Sequence, residues 1–119
     1  MSIAGIGFDL VDTKRFESPS VSLIERLFNI SEIEYSKSFS KSSVHLAGCF
    51  AVKEAFLKAL GAGLSNGISW LDIEVRHMGS GQPFVLFRGE KTPAIVSISH
   101  TETTAGAVVL LTEPIDIHS

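Results

Sequence analysis

The stretch Val44-His-Leu-Ala-Gly-Cys-Phe-Ala-Val-Lys-Glu-Ala-Phe-Leu-Lys-Ala-Leu60 decides the fold of this chain. Its spacing predicts one long helix, and Gly61 and Gly63 supply the left-handed stop that ends it. Apolar residues occur all around its circumference, and a helix of that kind is normally buried. Its ionisable residues are His45, Lys53, Glu54 and Lys58. On a helix with no proper solvated face, such charges point into a cleft.

Upstream, Ile3 to Asp12 reads as a strand. With a period of two, Ala4, Ile6, Phe8 and Leu10 share one face, expected to be the core face, while Ile3, Gly5, Gly7, Asp9 and Val11 share the other. Glycine weakens a strand interior and marks close approach by a backbone or ligand. Between strand and helix, Ser18-Pro-Ser20 is a linker, Val21 to Ile30 a short apolar stretch, and Ser31 with Glu34 a capping box opening a short helix toward Phe39. Downstream, Leu71, Ile73 and Val75 alternate with polar residues, Met78 to Pro83 is a turn, and Phe84 to Phe87 returns. Ile95 to His100 and Ala105 to Thr112 form a second strand pair, and Glu113 to Ser119 reads as a loose tail. The expected fold class is α+β, an antiparallel sheet packed around one long central helix, as a single domain over residues 1–119.

Bulk properties narrow the function. The chain has 119 residues, a formal net charge of -3 and 45% hydrophobic residues. A protein living on generic nucleic-acid contact is usually strongly basic, so no nucleic-acid partner is expected. The one cysteine, Cys49, allows neither an intramolecular disulfide nor a multi-cysteine metal site, and on a buried helix it reads as a small apolar residue. Mean hydropathy is high at +0.29. Yet the longest apolar runs fall far short of the ~20 residues a membrane helix needs. Asp9 and Asp12 interrupt the N-terminal apolar stretch, and no basic flank precedes it, unlike a signal peptide. The expectation is a soluble cytoplasmic domain with no membrane partner, whose apolar excess fits a subunit interface.

Glu54 and Lys58 are four apart on one helix face, beside Ala47, Phe50 and Ala51. On an ordinary helix this would be an exposed ion pair worth a few tenths of a kcal/mol. If the helix crosses the first strand, Asp9 and Glu54 converge. Two carboxylates make a hard-oxygen site suited to Mg²⁺, with Lys58 offsetting phosphate charge. Gly5-x-Gly7 is no dinucleotide fingerprint, because position 10 is Leu and no helix opens there, and no Walker sequence is present. His100 reads as a strand-end histidine, His45 and His77 as surface residues, and no histidine spacing suggests zinc.

Together, several segments resemble the holo-[acyl-carrier-protein] synthases, the small bacterial-type 4'-phosphopantetheinyl transferases. They are Gly5-Ile-Gly-Phe-Asp-Leu-Val-Asp12 with Arg15, Leu46 to Gly61 with its central Phe50-Ala-Val-Lys-Glu-Ala-Phe-Leu-Lys-Ala59, Asp72 to Val75, Gly81-x-Pro83 and Val96 to Thr101. The resemblance spans nearly the whole chain. It implies transfer of 4'-phosphopantetheine from coenzyme A to a serine of an apo acyl carrier protein, in support of fatty acid biosynthesis, with adenosine 3',5'-bisphosphate released. It further implies Asp9 and Glu54 as Mg²⁺ ligands and Asp9, Glu54 and Lys58 as the catalytic set. Lys53, Lys58, Gly61, Pro83 and His100 would lie at the coenzyme A pocket, Arg15 and Arg26 would bind the carrier, and the assembly would be a homotrimer with coenzyme A between subunits. Leu27 and Phe28 would add apolar contact for the carrier. The serine proton would leave to Glu54 or to a water at the metal, the water being favoured because Glu54 would otherwise be both ligand and base. Cys49 replaces an Arg common in the family and removes a cation from the coenzyme pocket, Gln82 replaces a common Lys, and the segment from Phe87 to Val96 is too short for a small helix seen in relatives. Competing readings are a Mg²⁺-dependent phosphodiesterase or nuclease, and a coenzyme A-binding module without activity.

Overall fold

The computed structural model describes residues 2–118. Its elements are β1 (Gly5–Asp12), α1 (Val21–Leu27), α2 (Ile30–Lys37), α3 (Ser42–Leu60), β2 (Ile73–His77), β3 (Pro83–Phe87), β4 (Glu90–Lys91), β5 (Ala94–His100) and β6 (Thr104–Leu111). Short 3-10 turns lie at Thr13–Phe16, Leu64–Asn66 and Trp70–Asp72. The α+β class is observed, but the strands divide into two antiparallel sheets, ordered β1-β6-β5 and β2-β3-β4, where one sheet was expected. The division follows from α3: a helix apolar on all sides needs more cover than one sheet face provides. As expected, Gly61 closes α3 in the left-handed conformation (φ 71°), its N–H donating to the Leu57 and Lys58 carbonyls. No helix among the described residues is long and apolar enough to cross a membrane.

The sense of β1 is the reverse of the expected one. Ile6, Phe8 and Leu10 are 63%, 58% and 61% exposed, and the glycine face is the one packed on α3. A Cβ at Gly7 would lie 1.8 Å from the Ala55 carbonyl oxygen, and one at Gly5 would lie 2.0 Å from that of Ala59. The missing side chains let the strand backbone rest directly on the helix backbone. Ala51, Ala55 and Ala59, spaced four apart on α3, are buried, as are Ala105 and Ala107 on the neighbouring strand β6. The interface is thus built from small residues on both sides. The outer face of the sheet carries Ile6, Phe8, Leu10 and Ile95 uncovered in the single chain.

The remaining faces of α3 pack under α1, α2 and the second sheet. Phe16, Phe28 and Phe50 meet edge to face, and Trp70 tilts against Phe50 at 4.9 Å. In their midst lies a charged group: Lys53 is fully buried, its Nζ 2.7 Å from Glu32 and donating to the Leu27 and Trp70 carbonyls and to Asn29 Oδ1. Glu32 also accepts from the backbone N–H groups of Asn29 and Val75, both at 2.7 Å. One ion pair therefore ties together the end of α1, the start of α2, α3, the turn at Trp70 and β2. It also corrects the expected capping box: the reciprocal Glu at the start of α2 is Glu32, reaching back to Asn29, while Ser31 donates instead to Glu74. The tail is not loose either, since Ile115 and Ile117 pack against the core and Arg88 donates to the Ile117 carbonyl.

Two outcomes test this account by chemical denaturation. Gly7→Ala forces a carbon into a backbone oxygen that no rotamer change relieves, and is expected to cost at least ~3 kcal/mol. Gly63→Ala, where a Cβ meets nothing within 4 Å, is expected to stay within about 0.5 kcal/mol of the parent. Lys53→Met leaves the Glu32 carboxylate buried without its cation, with an expected loss of about 3–5 kcal/mol.

Candidate active site

The close approach of β1 to α3 sets the site. Past Gly7, the next residue on the same strand face is Asp9, and it arrives beside Glu54 and Lys58. Lys58 Nζ lies 3.0 Å from Asp9 Oδ1 and 3.0 Å from the Phe8 carbonyl oxygen. The Asp9 side chain is only 11% exposed, whereas that of Lys58 is 56% exposed, so the lysine reaches in from solvent over a sheltered carboxylate. Burial, then the charge of Asp9 and a hydrogen bond shared with it, push the Glu54 carboxyl above its ordinary value, while Arg15 and Lys58 pull it back. Two carboxylates held this close repel each other, and a cation between them relieves that strain. Among the described residues no three His, Cys, Asp or Glu side chains converge as a metal cage. Two carboxylate donors completed by water and substrate oxygens are the pattern Mg²⁺ takes in phosphate-handling sites. The position of Lys58, a cation already resting on Asp9, shows that the pair accepts positive charge.

The other expected site residues divide. Lys53 does not stand at a pocket: its ammonium is spent inside the fold on Glu32 and three further acceptors, so its expected contact with coenzyme A is corrected to a structural role. Gly61 follows Lys58 at the helix end, where its amide closes α3. Arg15 is exposed on the turn after β1, with its guanidinium 5.1 Å from the Phe50 ring centroid and near enough to Glu54 to favour its charged form. Arg26 is exposed on α1, but Leu27 and Phe28 beside it are buried core residues and leave no apolar contact there for a partner. Val21, at the start of α1, and Ile30, at the start of α2, are exposed.

Pro83 and His100 lead to a second location. Pro83 opens β3 opposite His77, and His100 ends β5. His45, His77 and His100 line one small cavity together with Tyr35 and Cys49. His77 lies flat on Tyr35 at 4.1 Å, His45 flat on Phe39 at 3.6 Å, and His45 and His100 are 6.1 Å apart. Burial, followed by the neighbouring imidazole, lowers the basicity of His45 (through His100) and of His77 (through His45). Burial pushes the Cys49 thiol well above its ordinary range. Sequence reasoning placed His45 and His77 on the surface. Three single histidines on three separate elements carry no spacing signal, and only the tertiary fold gathers them. The cavity and the carboxylates occupy opposite sides of α3, since His45 and Glu54, nine residues apart, are about half a turn out of phase around the helix axis.

Residues 5–112 match the family model of the 4'-phosphopantetheinyl transferase superfamily. A holo-[acyl-carrier-protein] synthase of Geobacter sulfurreducens is 41% identical over 94% of this chain and 99% of its own length. Among solved structures, a holo-(acyl-carrier-protein) synthase from Bacillus anthracis in complex with CoA (3',5'-ADP) superposes with a TM-score of 0.77 at 38% identity, covering 92% of this chain and 96% of that one. A Helicobacter pylori holo-[acyl-carrier-protein] synthase in complex with coenzyme A gives a TM-score of 0.75 at 32% identity, over 87% and 96% of the two chains. These similarities run through both β1, which carries Asp9, and α3, which carries Glu54 and Lys58, and the chain belongs to the 4'-phosphopantetheinyl transferase superfamily.

Proposed function

We propose that this chain moves the 4'-phosphopantetheine group of coenzyme A onto a serine hydroxyl of an apo acyl carrier protein and releases adenosine 3',5'-bisphosphate, in support of fatty acid biosynthesis. The observation that carries this reading is the meeting of Asp9, Glu54 and Lys58 across β1 and α3, in a chain similar over nearly its whole length to holo-[acyl-carrier-protein] synthases. In the reaction the serine oxygen forms a bond to phosphorus and gives up its proton to a water beside Glu54, while the bond from that phosphorus to the bridging oxygen of the pyrophosphate breaks and the electron pair leaves on the phosphate of adenosine 3',5'-bisphosphate.

Asp9 and Glu54 are the residues that would hold Mg²⁺. Such an ion screens the pyrophosphate charge and polarises the phosphorus. Lys58, half exposed on a flexible stem, can leave Asp9 and bring its ammonium to the phosphate oxygens, where it stabilises the charge that grows as the leaving group departs. Arg15, beside Glu54, helps keep that carboxylate ionised. Its exposure also leaves it free to meet an acidic carrier, with Arg26 the second cation of that surface. Pro83 and His100 belong to the nucleotide end of the coenzyme pocket.

That pocket is shared between subunits of a homotrimer in this reading. Two features support it. The uncovered face of Ile6, Phe8, Leu10 and Ile95 is the kind of surface an assembly buries. The imidazole cavity and the carboxylates also face opposite ways across α3, so one coenzyme touching both kinds of site has to lie between two chains. The whole of 1–119 is one transferase domain, and its setting is the cytoplasm.

The deciding experiment incubates the protein with coenzyme A, Mg²⁺ and an apo carrier protein and follows carrier mass. A gain of one phosphopantetheine is expected, and nucleic-acid cleavage or coenzyme binding without transfer would overturn the reading. Asp9→Asn and Glu54→Gln are each expected to lower turnover at least about 100-fold with the fold retained, because each removes a charge that meets the reacting phosphates. Lys58→Ala is expected to lower turnover with little change in Tm. In the metal-free protein the Glu54 carboxyl, pushed up by burial and by Asp9, is expected to take up its proton at a higher pH than an ordinary Glu as pH falls, and added Mg²⁺ is expected to reverse that shift, both read by NMR titration of the carboxyl. In Glu54→Gln the repulsion against Asp9 is gone, so Tm near neutral pH should hold or rise.

A further inference from the structure

We propose that Lys58 is the resident cation of the Asp9–Glu54 pair, exchanged for a divalent ion when a diphosphate draws its ammonium away, so that ion and coenzyme bind as a coupled set. This rests on the coenzyme A reading above and adds to it an exchange among the charged parts of that site. Lys58 Nζ lies 3.0 Å from Asp9 Oδ1 and 3.0 Å from the Phe8 carbonyl oxygen, two oxygens of β1. Glu54, one turn before Lys58 on α3, is within hydrogen-bonding reach of Asp9 and near enough to Lys58 to feel its charge. The ammonium therefore rests on a carboxylate that a metal ion needs. With Arg15 also near Glu54, two cations stand against two carboxylates, and the group balances its own charge. A divalent ion added to a balanced group gains little attraction unless one of the cations withdraws.

The geometry decides which cation that is. Lys53, five residues earlier on the same helix, is fully buried on Glu32 and three further acceptors and is locked there. The Lys58 side chain is 56% exposed, holds two acceptors and keeps its third N–H donor for solvent. An ion pair with one partner in solvent is weak, and a lysine is a point charge on a flexible stem that reorients easily. The Arg15 guanidinium, in contrast, lies 5.1 Å from the Phe50 ring centroid and 5.8 Å from that of Phe16, two rings that hold it in place. Asp9 does not follow the departing lysine. Its side chain is 11% exposed, and its backbone sits opposite Ala107 in the β1–β6 ladder, on a strand whose glycines rest on α3. Lys58 is the mobile member of the group, and the two carboxylates are its fixed frame.

Two one-ligand states follow, each incomplete. An ion arriving alone has to displace Lys58 from Asp9 into water. A diphosphate arriving alone takes the ammonium onto its oxygens and leaves the sheltered Asp9 facing Glu54 without that cation. Either ligand removes the obstacle that the other meets, so each raises the affinity of the other by the same factor. Lys58 is in this sense a positioning residue for the ion as well as a contact for the phosphates, and its exchange favours filling the carboxylate site when the coenzyme is there to use it.

The test is titration of the full-length protein with Mn²⁺ at neutral pH, the free ion being counted by electron paramagnetic resonance, with and without saturating coenzyme A. Without coenzyme, Lys58→Gln and Lys58→Ala are each expected to bind Mn²⁺ about fivefold or more tighter than the parent, because no ammonium competes for Asp9. The factor by which coenzyme A raises Mn²⁺ affinity is expected to be smaller in these variants by a similar ratio. Arg15→Gln, which removes a charge near Glu54 but leaves Asp9 covered by Lys58, is expected to give a smaller rise. Three results would overturn the exchange and leave the coenzyme A reading standing. They are an unchanged or weakened Mn²⁺ affinity in Lys58 variants whose melting curves show them folded, the same coupling factor in parent and variants, and a rise in Arg15→Gln as large as in Lys58→Gln, which would mark a general effect of lost positive charge. If Mn²⁺ binds neither parent nor variants even with coenzyme A bound, the carboxylate site of the proposed function falls and takes the exchange with it.

Discussion

The absence of a side chain at Gly7 controls the rest of this molecule. With its hypothetical Cβ only 1.8 Å from the Ala55 carbonyl oxygen, no other residue lets β1 lie on α3 at this distance. The strand's next inward residue, Asp9, can reach Glu54 and Lys58 only because the two backbones touch. A strand lifted by one methyl group would separate the carboxylates, and the shared cation position would be lost. The glycine therefore acts on the chemistry through packing alone, two residues from the group it places.

The second determinant lies beside the first on the helix. Lys53 and Glu54 are adjacent in sequence, and α3 sends them to different environments: Lys53 into the interior to hold Glu32, Glu54 outward to meet Asp9. A buried ion pair is a poor source of net stability compared with well-packed apolar groups, but it is demanding in geometry. Because it gathers the ends of α1, α2, β2 and the turn at Trp70 on one ammonium, it fixes the rotation of α3 about its own axis. Rotation is what the site needs, since Glu54 has to face β1 while His45 faces α2 and β2.

Much of this was legible in the sequence, and the parts that were not share a physical cause. The long helix, its glycine stop and the sharing of one helix face by Glu54 and Lys58 follow from a local period of 3.6, whereas the convergence of Asp9 with them depends on α3 crossing β1, which no local period decides. The orientation of β1 was misread because Ile6, Phe8 and Leu10 are apolar, and hydrophobicity signals burial without saying whether the cover comes from the same chain or from another. Lys53 was misread for the opposite reason. A lysine in an apolar helix looks functional, and only the fold shows four acceptors waiting for it. The capping box slid by two residues because Asn29-x-x-Glu32 and Ser31-x-x-Glu34 both fit the pattern, and the choice is made by Lys53 and Val75, far along the chain. His45 and His77 were missed because they share no local pattern with each other or with His100, which the family resemblance alone singled out.

The charge layout has a consequence for how the molecule meets an acidic carrier. With a net charge of -3, the whole chain repels such a partner at long range. On the docking surface proposed above, the exposed cations at Arg15 and Arg26 would act only within about a Debye length, ~8 Å at physiological salt. Arg15 is already drawn toward Glu54 and the face of Phe50, which holds it close to the paired carboxylates. In the proposed docking, the carrier's acidic groups would be drawn to a cation that lies beside Glu54. Steering of this kind is weak in range and strict in position, and Leu27 and Phe28, being buried, add no apolar grip to relax it. Encounter in such an arrangement depends on a high local concentration of carrier more than on long-range attraction.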